Sequence, residues 1–193
     1  MFRPVRLQGP ADSLIPLDEA KLYCRIFHDD DDTTLQALID AAEAHVDGYS
    51  GILGRCLQSQ TWRQDFTDWR KCLQLPFPDV SEVSLTYVDP TGTSQAVAAS
   101  VFDLMELAIG SAVMFRPDFD RPGLSAEVSA PISVEFTAGY GSAEDVPQDI
   151  RQALLLLVSH WFDNRTAVST GASPREMPLA FQALIGKYRR IGL

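Results

Sequence analysis

Cysteine is scarce in this chain of 193 residues: Cys24, Cys56 and Cys72 are all it has. The count is odd and no CxxC occurs, which excludes a disulfide-stapled scaffold and a thiolate metal knuckle. Free thiols in a reducing compartment are expected. Histidine is equally sparse. His28, His45 and His160 lie far apart, and none belongs to an HExxH pattern. Basic residues fall short as well, with 16 Lys and Arg against 26 Asp and Glu and a net charge of −10. A dedicated nucleic-acid binder needs clustered Lys and Arg, so this balance argues against one. Long apolar runs are missing. The longest, Ala153 to Val158, has six residues, whereas a bilayer span needs about 20. Met1 to Arg6 carries positive charge, with no apolar stretch of a signal peptide behind it. A soluble protein without membrane contact is expected. Asn164-Arg165-Thr166 then matches a glycosylation sequon by chance.

Catalytic patterns are also lacking. Gly139-Tyr140-Gly141 begins like a phosphate loop, but Glu144 takes the third glycine position of GxGxxG. No Walker lysine follows Gly51 or Gly54, and Ser50 and Ser142 lack the frame of a nucleophile elbow. Asp29 to Asp32 are contiguous, without the alternation, central glycine and distal Glu of an EF-hand. They read as a helix cap and a solvated acidic corner. His160 beside Trp161 reads as a structural histidine, because no carboxylate or nucleophile is placed for it at helical spacing. No metal, nucleotide or other cofactor is expected.

What the chain does have is apolar periodicity. Apolar residues make up 46% and include 10 Phe, 3 Trp and 5 Tyr, enough area to offset the entropy of ordering. Leu17 to Phe27 reads as a short helix with Asp18 and Glu19 in its first turn. Leu35, Leu38, Ile39, Ala42, Val46 and Tyr49 form one helical stripe, capped by Asp32 or Thr33 and ended by Gly51 and Gly54. The period then changes. Thr61–Phe66, Cys72–Leu75, the stretch from Val83, Val101–Leu107, Ala112–Phe115 and Ile132–Phe136 read as short strands separated by turns such as Asp89-Pro90-Thr91-Gly92. After Pro147 the helical period returns. Ile150, Ala153, Leu154, Leu157, Val158 and Trp161 form one face, and Leu155 with Phe162 a second strip beside it. A helix apolar on more than one side is buried on more than one side. A polar loop, Arg165–Pro178, leads to a last helix from Leu179 to about Ile191.

The predicted fold class is therefore α+β. A single domain over 1–193 is expected, a small helical bundle built from both chain ends. It comprises a helical part over 15–56, an inserted antiparallel β-rich region over 57–140, a central helix over 147–164 and a C-terminal arm over 165–193. Trp161, Leu154, Leu157 and Leu38 are the expected core.

The order of several short words points further. Phe136-Thr137-Ala138-Gly139-Tyr140-Gly141, then Val146 to Ala153, Leu156-Leu157-Val158 and His160 to Arg165, resembles the signature of the head–tail connector, or adaptor, proteins of long-tailed bacteriophages. Leu17-Asp18-Glu19-Ala20-Lys21, Gln60-Thr61-Trp62, Leu75-Pro76 and Thr86-Tyr87-Val88-Asp89 agree with it. The resemblance covers about residues 15 to 190 and is nearest to adaptors of prophages and gene transfer agents. It implies a non-enzymatic virion protein at the head–tail junction, assembled in the bacterial cytoplasm. Such a subunit joins a closed ring, about twelvefold, whose subunits meet through two different patches. The implied partners are the portal protein, a tail-side connector or stopper, and further copies of itself, with DNA passing through the channel without specific binding. An acidic wall suits that passage, because it repels phosphate. Leu155 and Phe162 are the candidate subunit-interface residues. Leu184, Lys187, Tyr188, Arg189 and Arg190, the only dense positive cluster with its apolar neighbours, are the candidate portal-docking residues. Two other readings of the chain are a cellular interaction module presenting the β-rich region and a small enzyme with a site of scattered acids.

Overall fold

The computed structural model describes residues 2–164 and 179–190. Its chain divides into two compact units. One is β-rich and combines residues 2–10 with 55–140; the other is helical and combines residues 11–54 with 141–164 and 179–190. The fold is α+β.

The β-rich unit holds two antiparallel sheets. Strands β1 (Val5–Gln8), β2 (Gln60–Phe66), β3 (Cys72–Gln74), β4 (Val80–Val88), β5 (Ser94–Ala96), β6 (Phe102–Leu107), β7 (Gly110–Phe115) and β8 (Ile132–Ala138) form them. The five-stranded sheet has the order β1-β2-β8-β4-β5, and the three-stranded sheet the order β3-β7-β6. In β2 and β8 burial alternates residue by residue, the signature of a strand with one face in a core. Trp62 and Phe66 of β2, Ile132, Val134 and Phe136 of β8 and Leu85 of β4 share one core with Leu73, Val113 and Phe115 of the smaller sheet. Phe77 fills the gap between strands and lies 4.8 Å, centroid to centroid, from Trp62. β1 and β5 are elements the sequence periodicity does not announce. β1 is only four residues long, all exposed, and its place is set by pairing with β2.

The helical unit holds α1 (Leu17–Cys24), α2 (Asp32–Val46), α3 (Gln148–Asp163) and α4 (Leu179–Ile185). α1 ends three residues before the expected Phe27. Arg25 adopts a left-handed conformation, φ 58°, and its N–H and that of Ile26 cap the carbonyls of Leu22 and Lys21, which stops the helix. α2 ends at Val46, so Tyr49 leaves the stripe and stands exposed. Pro147 is the residue before α3, not its first helical position. α4 stops at Ile185 and a single tight turn, Gly186–Tyr188, follows; the glycine breaks the expected longer helix. Leu154 and Leu157 are buried as expected, while Leu38 and Trp161 are only half-buried. Trp161 packs edge-on against His45 of α2 at 6.2 Å. The expected loop Arg165–Pro178 lies outside the described residues.

Candidate functional site

Among the described residues, no group of three or more His, Cys, Asp or Glu is placed to hold a metal ion. None of their helices is long and apolar enough to cross a membrane. Cys24, Cys56 and Cys72 form no disulfide. Burial pushes the Cys24 and Cys72 thiols up, away from the reactive thiolate. The acidic corner is tied down by a cation: Lys21 Nζ lies 2.6 Å from both Asp29 and Asp32. The features with functional content are therefore surfaces.

The first is the outer face of the five-stranded sheet. Period-2 alternation sends Thr61, Arg63 and Asp65 of β2, Ser133, Glu135 and Thr137 of β8, and Glu82, Ser84 and Thr86 of β4 to the same side. They form a mostly polar surface, shared with Val5 of β1 opposite Arg63 and Val88 of β4, in which Ser133 Oγ donates to Asp65 at 2.8 Å and Arg63 pairs with Asp65 at 3.1 Å. Its three carboxylates, Asp65, Glu82 and Glu135, outnumber its one guanidinium. This face is suited to standing beside an anion without gripping it.

The second is two of the four sheet edges, β1 and β6. β1 closes one side of the larger sheet and β6 one side of the smaller. Both carry exposed apolar side chains: Phe2, Val5 and Leu7 on and before β1, and Leu104 and Met105 on β6. Gln64, fully buried, anchors the chain before β1 by donating to the Phe2 carbonyl at 2.7 Å. The edges differ in charge, since Arg3 and Arg6 flank one and Asp103 and Glu106 the other.

The third is the C-terminal turn. Lys187 Nζ lies 2.5 Å from Asp149 in the first turn of α3, and the Tyr188 hydroxyl donates to the same carboxylate at 3.3 Å. The hydrogen bond with Lys187 lowers the Asp149 carboxyl, and in return Asp149 raises the Lys187 ammonium. A carboxylate there also meets the positive end of the α3 dipole.

The structure distributes the sequence-predicted residues unevenly. Leu155 is 5% exposed, so it has almost no surface to give a neighbour; α3 is packed by α1, α2 and α4 of its own chain. Phe162 is half-buried near the end of α3. The two do not form an exposed strip, and Leu155 belongs to the core. Leu184, Tyr188 and Arg190 are half-buried, and Lys187 and Arg189 are exposed. Lys187 and Tyr188 are engaged with Asp149, and the Arg190 N–H donates to the Leu53 carbonyl at 3.0 Å. The two sheet edges escaped sequence reasoning. The signal that was available is the charged spacing in Arg3-Pro4-Val5-Arg6 and Asp103-Leu104-Met105-Glu106.

Comparison with known proteins gives a consistent outcome. The model of the family described as "Head completion protein" matches residues 13–191. A chain in the neck of an empty gene transfer agent particle, computed with C6 symmetry, superposes with a TM-score of 0.77 at 24% identity, covering 100% of this chain and 97% of that one. A chain in the virion of a native gene transfer agent particle gives the same values. A chain in the neck of the native particle, computed with C12 symmetry, gives 0.71 at 23% identity with the same coverage. No curated protein sequence matches.

Proposed function

The chain belongs to the head completion protein family, and from that premise we propose that it is an adaptor subunit that forms a ring beneath the portal and extends the DNA channel toward the tail. The coarser part of this statement, a structural protein of the head–tail junction, follows from the family itself. The match over residues 13–191 carries it, because it spans both compact units and not one shared motif.

Three features support the finer reading. The likeness to neck chains of gene transfer agent particles extends over the whole fold. The outer face of the five-stranded sheet is mostly polar, with an excess of carboxylates, and the chain carries a net charge of −10. A channel wall of that kind repels phosphate and lets DNA slide past. Exposed apolar residues sit on two separate sheet edges, and a ring needs two unlike patches on each subunit. The role is architectural, and the partners are the portal, a tail-side protein and further copies of the chain.

Disrupting the gene in a producing strain tests this. DNA-filled heads without tails are expected, with tailed particles restored by the gene in trans. Normal tailed particles from the disrupted strain would overturn the reading.

A further inference from the structure

Of the four edge strands of the β-rich unit, β1 and β5 in one sheet and β3 and β6 in the other, β1 with the residues before it and β6 carry complementary sequences. The first reads Arg3-Pro4-Val5-Arg6, continuing into Leu7 of β1, and the second reads Asp103-Leu104-Met105-Glu106 within β6. Each has charges three residues apart around an apolar pair, basic on one edge and acidic on the other. Val5 is 45% exposed, Leu104 36% and Met105 48%. Within one copy the two edges do not pair, since β1 neighbours only β2 and β6 only β7.

We propose that β1 of one copy adds, antiparallel, to the open edge of β6 in the next copy, and that this strand pairing is the lateral contact of the ring. The inference rests on the ring reading above. Set antiparallel, the edges bring Arg3 opposite Glu106, Val5 opposite Leu104 and Arg6 opposite Asp103, while Pro4, buried in its own copy, contributes no cross-strand contact. Two pairs are opposite charges and one is apolar; Val5 and Arg6 lie on β1, Arg3 two residues before it, and the edge strands carry backbone groups that need partners. A parallel arrangement also matches the charges, but antiparallel ladders are the more stable per residue. Strand addition supplies main-chain hydrogen bonds, and the side-chain register supplies specificity. The contact is head-to-tail by construction, because the edge that donates is not the edge that accepts. That is the geometry that closes rings. A second copy is the occupant because both halves of the match lie on this chain. Asp103 already holds Arg116 through two hydrogen bonds, at 2.8 and 3.2 Å, and Glu106 accepts from the Asp79 N–H at 3.5 Å; the test uses the Arg3–Glu106 pair.

The test uses full-length protein with its portal. Arg3→Glu and Glu106→Arg should each weaken ring formation in negative stain roughly tenfold or more, through like charges placed opposite each other. The chain carrying both should recover it. A mixture of Val5→Cys and Leu104→Cys chains should give disulfide-linked pairs under mild oxidation that neither gives alone and that Val5→Cys with Met105→Cys does not match. Circular dichroism shows that each variant is folded. If unsubstituted protein forms rings but the cysteines do not link and the double reversal does not recover, this pairing is wrong while the ring reading stands. If unsubstituted protein never forms rings, the ring reading fails and the pairing with it. Loss on Glu106→Arg alone, with Arg3→Glu silent, would assign the β6 edge to a different protein and overturn the inference.

Discussion

Arg55 and Tyr140 close on each other at the two ends of the long segment of the β-rich unit, 85 residues apart in sequence. The Arg55 guanidinium donates to the Tyr140 hydroxyl and lies 5.1 Å from the centroid of the same ring. Its other amino group is 3.5 Å from Asp79, a residue held at φ 56°. The loop ends are thereby pinned together by side chains as well as by the Tyr140 N–H, which donates to the Leu57 carbonyl at 3.2 Å. Tyr140→Phe removes one hydrogen bond to a charged donor and keeps the ring. It should cost about 1–3 kcal/mol in urea unfolding. Arg55→Ala should cost more, because it also takes away the cation over the ring and leaves Asp79 without its partner. Equal losses from the two would show that the ring contact contributes nothing.

Leu157 is fully buried on α3, while Leu22 on α1 is 72% exposed. Leu157→Ala should cost about 2–5 kcal/mol by loss of apolar burial and creation of a cavity. Leu22→Ala should stay within about 0.5 kcal/mol. Thermal or denaturant melts of the two variants check this contrast.

These two leucines also mark what the sequence makes legible. The α2 and α3 stripes, and the alternation in β2 and β8, are visible because a buried face repeats at the period of its element. Element ends are less visible, since they depend on single conformations such as the left-handed Arg25. β1 is too short for a period to show, and its apolar residues face outward. Leu155 illustrates the same difficulty at the site. Its strip looks spare in sequence, but three helices from distant parts of the chain pack on α3. Nothing local in the sequence announces how many neighbours a helix has.

Glu43 on α2 is turned inward. It accepts from Ser13 Oγ at 2.6 Å and from the Ile15 N–H at 2.9 Å. Burial pushes its carboxyl above the ordinary glutamate value, partly opposed by these hydrogen bonds. A carboxyl raised in the folded state holds its proton more tightly there than in the unfolded chain. Its contribution to stability is fully present below the ordinary value of 4.5 and is lost as pH rises through the raised one. Glu43→Gln keeps an acceptor and removes the charge. Its stability relative to the unsubstituted protein should rise with pH across that window and level off above it. A gap that is constant with pH would contradict this.

A deletion after Arg165 is a poor probe of whether the C-terminal arm docks on the portal. Phe181 and Ile185 of α4 are buried in the helical unit, so the deletion strips its packing and should lower stability along with any docking. Phe181→Ala alone should cost about 3–5 kcal/mol. Arg189 offers a cleaner question. It is exposed, and it sits next to Tyr188, which Asp149 holds in place. A rim charge of this kind acts mainly on association rate and salt dependence. Arg189→Glu should therefore leave the melt within about 0.5 kcal/mol of the unsubstituted protein. It should slow joining to portal-bearing heads, most at low ionic strength, where screening is weakest. Assembly with unchanged rate and unchanged salt dependence would remove the C-terminal turn from the docking surface.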